Sequence, residues 1–269
     1  MTSGGAPRED LAGTGPPSHG ESDARVAARV AAKAGDLLMR IREAGTGKVH
    51  PYQLGRIADE RAHNLIVEEL SRSRPEDWIL SEEGSDDLRR VWRKRVWIVD
   101  PLDGTHEFSI PGRWDWAVHI ALWEEGRGIT AAAVSMPALG EVYSSDRPWP
   151  VADEPRDIPV ILVSGHRPPP FSWKVAEAVG GQLATIGSAG AKSMAVVTGS
   201  ADAYVHSGGQ WEWDNAAPAG VVVASGLHAS RIDGSPLEYN QVHPYLPDLL
   251  FCHPALASPI LEAIAGFTR

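Results

Sequence analysis

The chain has 269 residues, with 35 acidic against 25 basic side chains and a formal net charge of −10. That balance excludes a non-specific nucleic-acid binder, which needs a cationic face for phosphates, so no nucleic-acid polymer is expected as a partner. Hydrophobic residues make up 43%, enough for a sizeable core, and the single Cys252 rules out an intrachain disulfide or a thiolate-rich zinc site. No apolar run reaches the roughly 18 residues of a bilayer span. The N-terminus also lacks the charged-then-apolar order of a signal peptide. A cytoplasmic protein without a membrane partner is expected.

Residues 1–22 are rich in Gly, Pro and Ser and lack periodicity, so a solvated tail is expected there. From Asp23 the spacing of Val26, Val30, Ala34, Leu37, Leu38 and Ile41 predicts a helix that Gly45 stops. A second helix is expected from about Asp59 to Ser73, with Asp59 near its start. Trp78–Leu80 and Val96–Val99 read as buried strands, with Pro101 expected to end the second ladder. Trp116–Trp123, Ile129–Met136 and Glu141–Ser144 read as sheet neighbours. The Pro-rich, acidic stretch 147–157 predicts a linker between halves 23–146 and 158–269. Beyond it, strands at 159–163, 183–186, 203–206, 227–232 and 248–252 alternate with helices at 173–179, 189–198 and 215–225 and a last one from about Pro254. An α+β half is thus followed by an α/β half.

The chemistry concentrates at strand ends. Asp100-Pro101-Leu102-Asp103-Gly104-Thr105 delivers two carboxylates around a tight turn, where they can face one point. Their repulsion is costly unless a hard cation lies between them, and an all-oxygen set suits Mg²⁺. The plainer structural alternative is an Asp-Pro turn followed by a helix cap at Asp103. Ser81-Glu82-Glu83 ends the preceding strand and can reach the same cavity. Asp214, flanked by Trp211 and Trp213, stands where a helix begins near Asn215 and reads either as an N-cap or as a carboxylate in need of a cation. Gly187-Ser188 opens a helix whose free amides can hold a phosphate, with Lys192 one turn on. His119, inside an apolar strand, reads as a hydrogen-bonded core residue.

The order Asp59, Ser81-Glu82-Glu83, Asp100-Pro101-Leu102-Asp103-Gly104-Thr105 and Trp213-Asp214-x-Ala216-Ala217 resembles the inositol monophosphatase-like superfamily of metal-dependent phosphatases. Haloacid-dehalogenase-like phosphatases space their two Asp residues by two, whereas Asp100 and Asp103 are three apart. The resemblance implies a layered α-β-α-β-α sandwich with the active site between two halves. It also implies Glu82, Asp100, Asp103 and Asp214 as side-chain ligands of two or three Mg²⁺ ions, joined by the Leu102 carbonyl. Asp59 and Thr105 would then act on the attacking water, and the amides of Gly104 and Thr105 would bind phosphoryl oxygens. Thr105-His106-Glu107-Phe108 and Glu212-Trp213-Asp214 resemble the 3'(2'),5'-bisphosphate nucleotidase branch, in its actinobacterial form. That branch implies a small phosphorylated nucleotide as substrate, 3'-phosphoadenosine 5'-phosphate, hydrolysed to AMP. Ser188, Lys192, His166, Tyr204 and Glu212 would line the nucleotide pocket, and a homodimer is compatible with the family. Inositol phosphate or fructose bisphosphate hydrolysis, and phosphonucleotide binding without turnover, are the alternatives.

Overall fold

The computed structural model describes residues 20–267, so the tail expected over 1–22 lies mostly outside the described residues. Its last residues are engaged. Ser22 caps the first helix through its side chain, and Glu21 pairs with Arg29 at 3.0 Å. Helix α1 (Asp23–Gly45) follows the expected stripe, burying Val26, Val30, Ala34 and Leu38. Helix α2 (Pro51–Ser73) starts earlier than expected. Pro51 occupies its first turn, where a missing N–H is harmless, and Leu54, Gly55 and Ala58 extend the buried face. Asp59 is therefore an interior residue of the helix and does not stand near its start as expected.

The first sheet runs β1 (Trp78–Ser81), β2 (Arg95–Asp103), β3 (Ala117–Glu124), β4 (Gly128–Met136), β5 (Glu141–Ser144), in that spatial order. Only β1 and β2 are parallel. Pro101 does not end β2. The ladder to β3 shifts register between Asp100 and Asp103, and the residue without an N–H falls inside that irregularity. The second sheet orders β7 (Gln182–Thr185), β6 (Val160–Val163), β8 (Ala203–Trp211), β10 (Tyr245–Cys252) and β9 (His228–Ser230). Its β6 pairs in parallel with both β7 and β8, and β10 runs antiparallel between β8 and β9.

Helices α1 and α2 cover one face of the first sheet, while α5 (Ala189–Val197) and α6 (Glu212–Ala224) pack against strands of both sheets. On the far face of the second sheet lie α4 (Ser172–Ala178) and α7 (Ala257–Phe267); α3 (Thr105–Ser109) is a single turn following β2. This is the expected α-β-α-β-α layering. Its central apolar cluster is continuous across both sheets: Val96, Ala121 and Val134 share it with Ala217, Val221, Tyr204 and Phe251. Fully burying a Val or Phe side chain contributes about 1.5–3 kcal/mol, so α6 is fastened from two sides.

Helix α2 approaches the β2–α3 turn closely because Gly55 lacks a side chain. A Cβ there would stand 2.6 Å from Thr105 Cγ2. Gly55→Ala should lower stability by about 1–3 kcal/mol, the usual range for overpacking. Adding Thr105→Ser, which removes the opposing methyl, should recover most of the loss. Urea unfolding of both variants measures this.

Candidate active site

The parallel register Ser81↔Val99 sets Glu82 beside Asp100, and the Glu82 amide continues the pairing by donating to the Val99 carbonyl at 3.3 Å. Asp100 is 1% exposed, and its Oδ1 accepts the Leu102 amide at 3.0 Å, which folds the chain into the turn. Gly104, at φ 87°, takes the left-handed conformation that the turn requires before α3. The Thr105 hydroxyl donates to the Leu102 carbonyl at 3.1 Å, so the proposed carbonyl ligand and the proposed catalytic hydroxyl are locked together.

Asp59 is 6% exposed, and its Oδ1 has no hydrogen-bond partner. Burial first, then the charges of Glu82 and Glu83, push its carboxyl up to about 8. Asp214 is likewise pushed up to about 8 by burial and by Asp103 and Glu82. Asp100 is driven well above the carboxylate range by burial and then by Glu82, Asp103, Asp214 and Asp59. Glu82 is exposed on its outer side, yet the protein packed around its carboxylate and the neighbouring Glu83 and Asp103 raise it too. The sequence-predicted carboxylates are therefore brought within electrostatic reach of one another around Asp100.

Asp103 turns its oxygens toward the second half. Oδ2 accepts from Ser188 Oγ and from the Gly190 amide, both at 2.6 Å, while Oδ1 accepts from the Ala189 amide at 3.3 Å. The α5 start expected to receive a substrate phosphate here receives a carboxylate, a favourable anion for the same free amides. Ser188 makes these contacts from φ 50°, a strained value for a residue with a Cβ. Asp214 is not the N-cap of α6. The helix begins at Glu212, and Asp214 Oδ2 accepts the Trp211 amide at 2.7 Å from inside the first turn.

Several pocket expectations are corrected. Tyr204 is wholly buried, with its hydroxyl accepting from Gln210 and its ring beneath Lys192, so it offers substrate no surface. Glu212 is also wholly buried and accepts the amides of Asn240 and Gln241 at 2.7 and 2.8 Å. It fastens that loop against α6, and burial raises its carboxyl to about 7. The same loop is gripped by buried Arg90 through Asn240 Oδ1 and the Gln241 carbonyl. Lys192 is 6% exposed and donates to the carbonyls of Ile186, Gly187 and Ser188, so its ammonium braces the turn before α5. Burial lowers its pKa against the pull of Asp103, Glu107, Asp115 and Asp214. His166 is exposed on the loop after β6.

Sequence reading overlooked Asp115. It is buried, pairs with Arg113, and accepts the Gly187 amide at 2.6 Å, tying the β3 approach to the turn before α5. The Arg113-Trp114-Asp115 spacing was its only signal.

The donor set fits a hard divalent cation. Every group is an oxygen, one buried oxygen of Asp59 is without a partner, and the carboxylates repel one another. Among the described residues, no three of the side chains close into a finished metal cage. Asp103 and Asp214 are drawn onto protein amides by the same attraction for positive charge. A separate groove of about 1080 Å³, lined by Ser22, Trp123, Arg127, Val223 and Leu237, lies toward the opposite end of α6 and includes none of these carboxylates.

These raised carboxyls carry a sign. Asp59 and Asp214 hold protons in the folded state where the unfolded chain has released them, between the usual carboxylate range near about 4 and about 8. Stability of the metal-free protein must therefore fall as pH rises through that window. In chelator, the melting temperature should drop between pH 5.5 and 8.5. Added Mg²⁺ should shrink the drop, since a cation then replaces the protons. An equal drop with and without Mg²⁺ would contradict this.

The profile of the inositol monophosphatase family matches residues 20–264. A Mycobacterium tuberculosis protein named 3'-phosphoadenosine 5'-phosphate phosphatase is 52% identical over 244 residues, covering 88% of this chain and 91% of that protein. The Escherichia coli 3'(2'),5'-bisphosphate nucleotidase CysQ is 32% identical, over 70% of this chain and 80% of its own. Among solved structures, CysQ from Bacteroides thetaiotaomicron superposes with a TM-score of 0.73 at 26% identity, covering 87% of this chain and 98% of that one. The layered fold, the carboxylates gathered around Asp100 and these matches agree: the chain belongs to the inositol monophosphatase family.

Proposed function

We propose that this protein is a Mg²⁺-dependent phosphatase that removes the 3'-phosphate of 3'-phosphoadenosine 5'-phosphate, giving AMP and inorganic phosphate. The observation that carries the reading is the convergence of Glu82, Asp100, Asp103, Asp214 and Asp59 at the seam of the two sheets. The mycobacterial relative, named for this reaction and half identical over most of its length, supports the nucleotide as substrate. The physiological task would be clearance of an inhibitory by-product of sulfate assimilation.

Glu82, Asp100, Asp103 and Asp214, with the Leu102 carbonyl, would hold two or three Mg²⁺ ions. When bound, these supply positive charge that lowers the pKa of water and neutralises phosphoryl oxygens. Asp59 presents its uncommitted Oδ1 to the attacking water and takes its proton. Its high pKa in the metal-free protein comes from burial beside Glu82 and Glu83, and positive charge held on this cluster would favour the ionised form that a base needs. Thr105, anchored on Leu102, orients the water with its remaining hydroxyl capacity. The amides of Gly104 and Thr105 face the non-bridging oxygens. The other phosphate lies toward the turn that Lys192 braces and toward His166, whose exposed ring is available to the nucleotide. No side chain is phosphorylated in this scheme.

Phosphate release from 3'-phosphoadenosine 5'-phosphate, inositol 1-phosphate and fructose 1,6-bisphosphate, measured side by side with Mg²⁺, tests the substrate. The highest kcat/KM is expected for the nucleotide, and a preference for inositol 1-phosphate would reassign it. Asp59→Asn should lower kcat by about 10²–10⁴-fold, the range for a lost general base. It should also raise the melting temperature of the metal-free protein at pH 8.5, because a buried charge without a partner is gone. A variant that kept full turnover would remove Asp59 from the chemistry.

A further inference from the structure

His119 is wholly buried in the middle of β3, directly opposite Asp100 in the ladder to β2. Its Nδ1 lies 3.1 Å from the carbonyl of Trp213, the residue before Asp214, and its Nε2 lies 3.3 Å from Asp103 Oδ2. One ring therefore touches the strand of Asp100, the carboxylate of Asp103 and the backbone that carries Asp214. The neighbourhood is built around it. A Cβ on Gly190 would stand 2.2 Å from Nε2, so only glycine at the α5 start lets the ring and the Asp103 carboxylate occupy their places.

The two ring nitrogens are not equivalent. A carbonyl oxygen only accepts, so Nδ1 carries the hydrogen and donates to Trp213. Nε2 has no partner with hydrogen-bond geometry, and Asp103 Oδ2 already accepts from Ser188 and Gly190. The ring is thus held from its Nδ1 side and abuts Asp103 with the other. We infer that His119 is a positioning residue that fixes, through Nδ1–H and the Trp213 carbonyl, how far Asp214 stands from Asp103 and hence the width of the cation site. This rests on the metal-site reading above. Among the described residues, no other hydrogen bond joins the first turn of α6 to the first sheet, and apolar packing does not set a carboxylate to a fraction of an ångström.

Isosteres separate the two ends of the ring. Asn places an amide N–H where Nδ1 was, whereas Gln reaches toward the Nε2 position. Binding of Mn²⁺ alone to the metal-free protein, measured by calorimetry, is the primary readout, with Mg²⁺-dependent turnover as the second. His119→Gln and His119→Ala should weaken Mn²⁺ binding by about 10–100-fold, the range seen when a group supporting a metal ligand is lost. Their kcat should recover at saturating Mg²⁺. His119→Asn should stay within about threefold of the parent on both measures. If Gln or Ala does not fold, as judged by circular dichroism, the other set against Asn still discriminates; if Asn does not fold, recovery of kcat at saturating Mg²⁺ in Gln and Ala is the readout, and no recovery overturns the role. Unchanged Mn²⁺ affinity in Gln or Ala, or Asn falling as far as Ala, overturns the role of His119 alone. A parent protein that binds no Mn²⁺ overturns the metal-site reading together with it.

Discussion

Mutual repulsion among carboxylates gathered around buried Asp100 is the constraint from which the rest of the structure takes its form. Asp59, Glu82, Asp100, Asp103 and Asp214 come from α2, from the ends of β1 and β2 and from the start of α6. Left to themselves they would separate or stay protonated, and burial makes ionisation harder still. Folding holds them together because each is carried by an element anchored elsewhere. The apolar cluster shared by both sheets fixes α6, the parallel register fixes Glu82 beside Asp100, and Gly55 lets α2 come down onto Thr105. The core thus opposes the electrostatics of the site, as is common where binding needs a strained arrangement.

Protein amides partly stand in for cationic charge at this seam. Asp103 takes the opening amides of α5, Asp214 takes the Trp211 amide and Asp100 takes that of Leu102. At Asp100 and Asp214 the amide engages one oxygen of the carboxylate, whereas Asp103 has both of its oxygens engaged at the start of α5. The only non-glycine residues with positive φ among those described, Ser188 and Asn240, flank this region. Ser188 binds Asp103, and Asn240 is pinned between Glu212 and Arg90. Strain and polar fastening thus coincide where the two halves meet.

Much of this was legible in the order of residues because the ligands ride on local motifs. Asp100 through Thr105 is one short turn closed by its own bonds from the Leu102 amide and the Thr105 hydroxyl, so its chemistry could be read locally, whereas the bonds that Asp103 accepts from the start of α5 could not. Glu212 and Tyr204 were misread because burial is set by partners far away. Nothing near residue 212 announces that the amides of 240 and 241 arrive there. The start of α2 was missed because a buried face of Leu54, Gly55 and Ala58 carries a weak apolar signal, with small residues chosen for close approach rather than hydrophobicity. Asp115 escaped for a similar reason. Its importance lies in the Gly187 amide, which belongs to the other half of the chain.

The continuous interior bears on how the molecule works as a machine. Because α5 and α6 are packed into both sheets at once, the halves have no plane along which to swing open and shut. Shielding of a reacting phosphate from bulk solvent has to come from short surface segments, such as the exposed loop after β6, and not from a jaw-like motion. In many enzymes, opening of such loops and departure of the product set the pace of turnover.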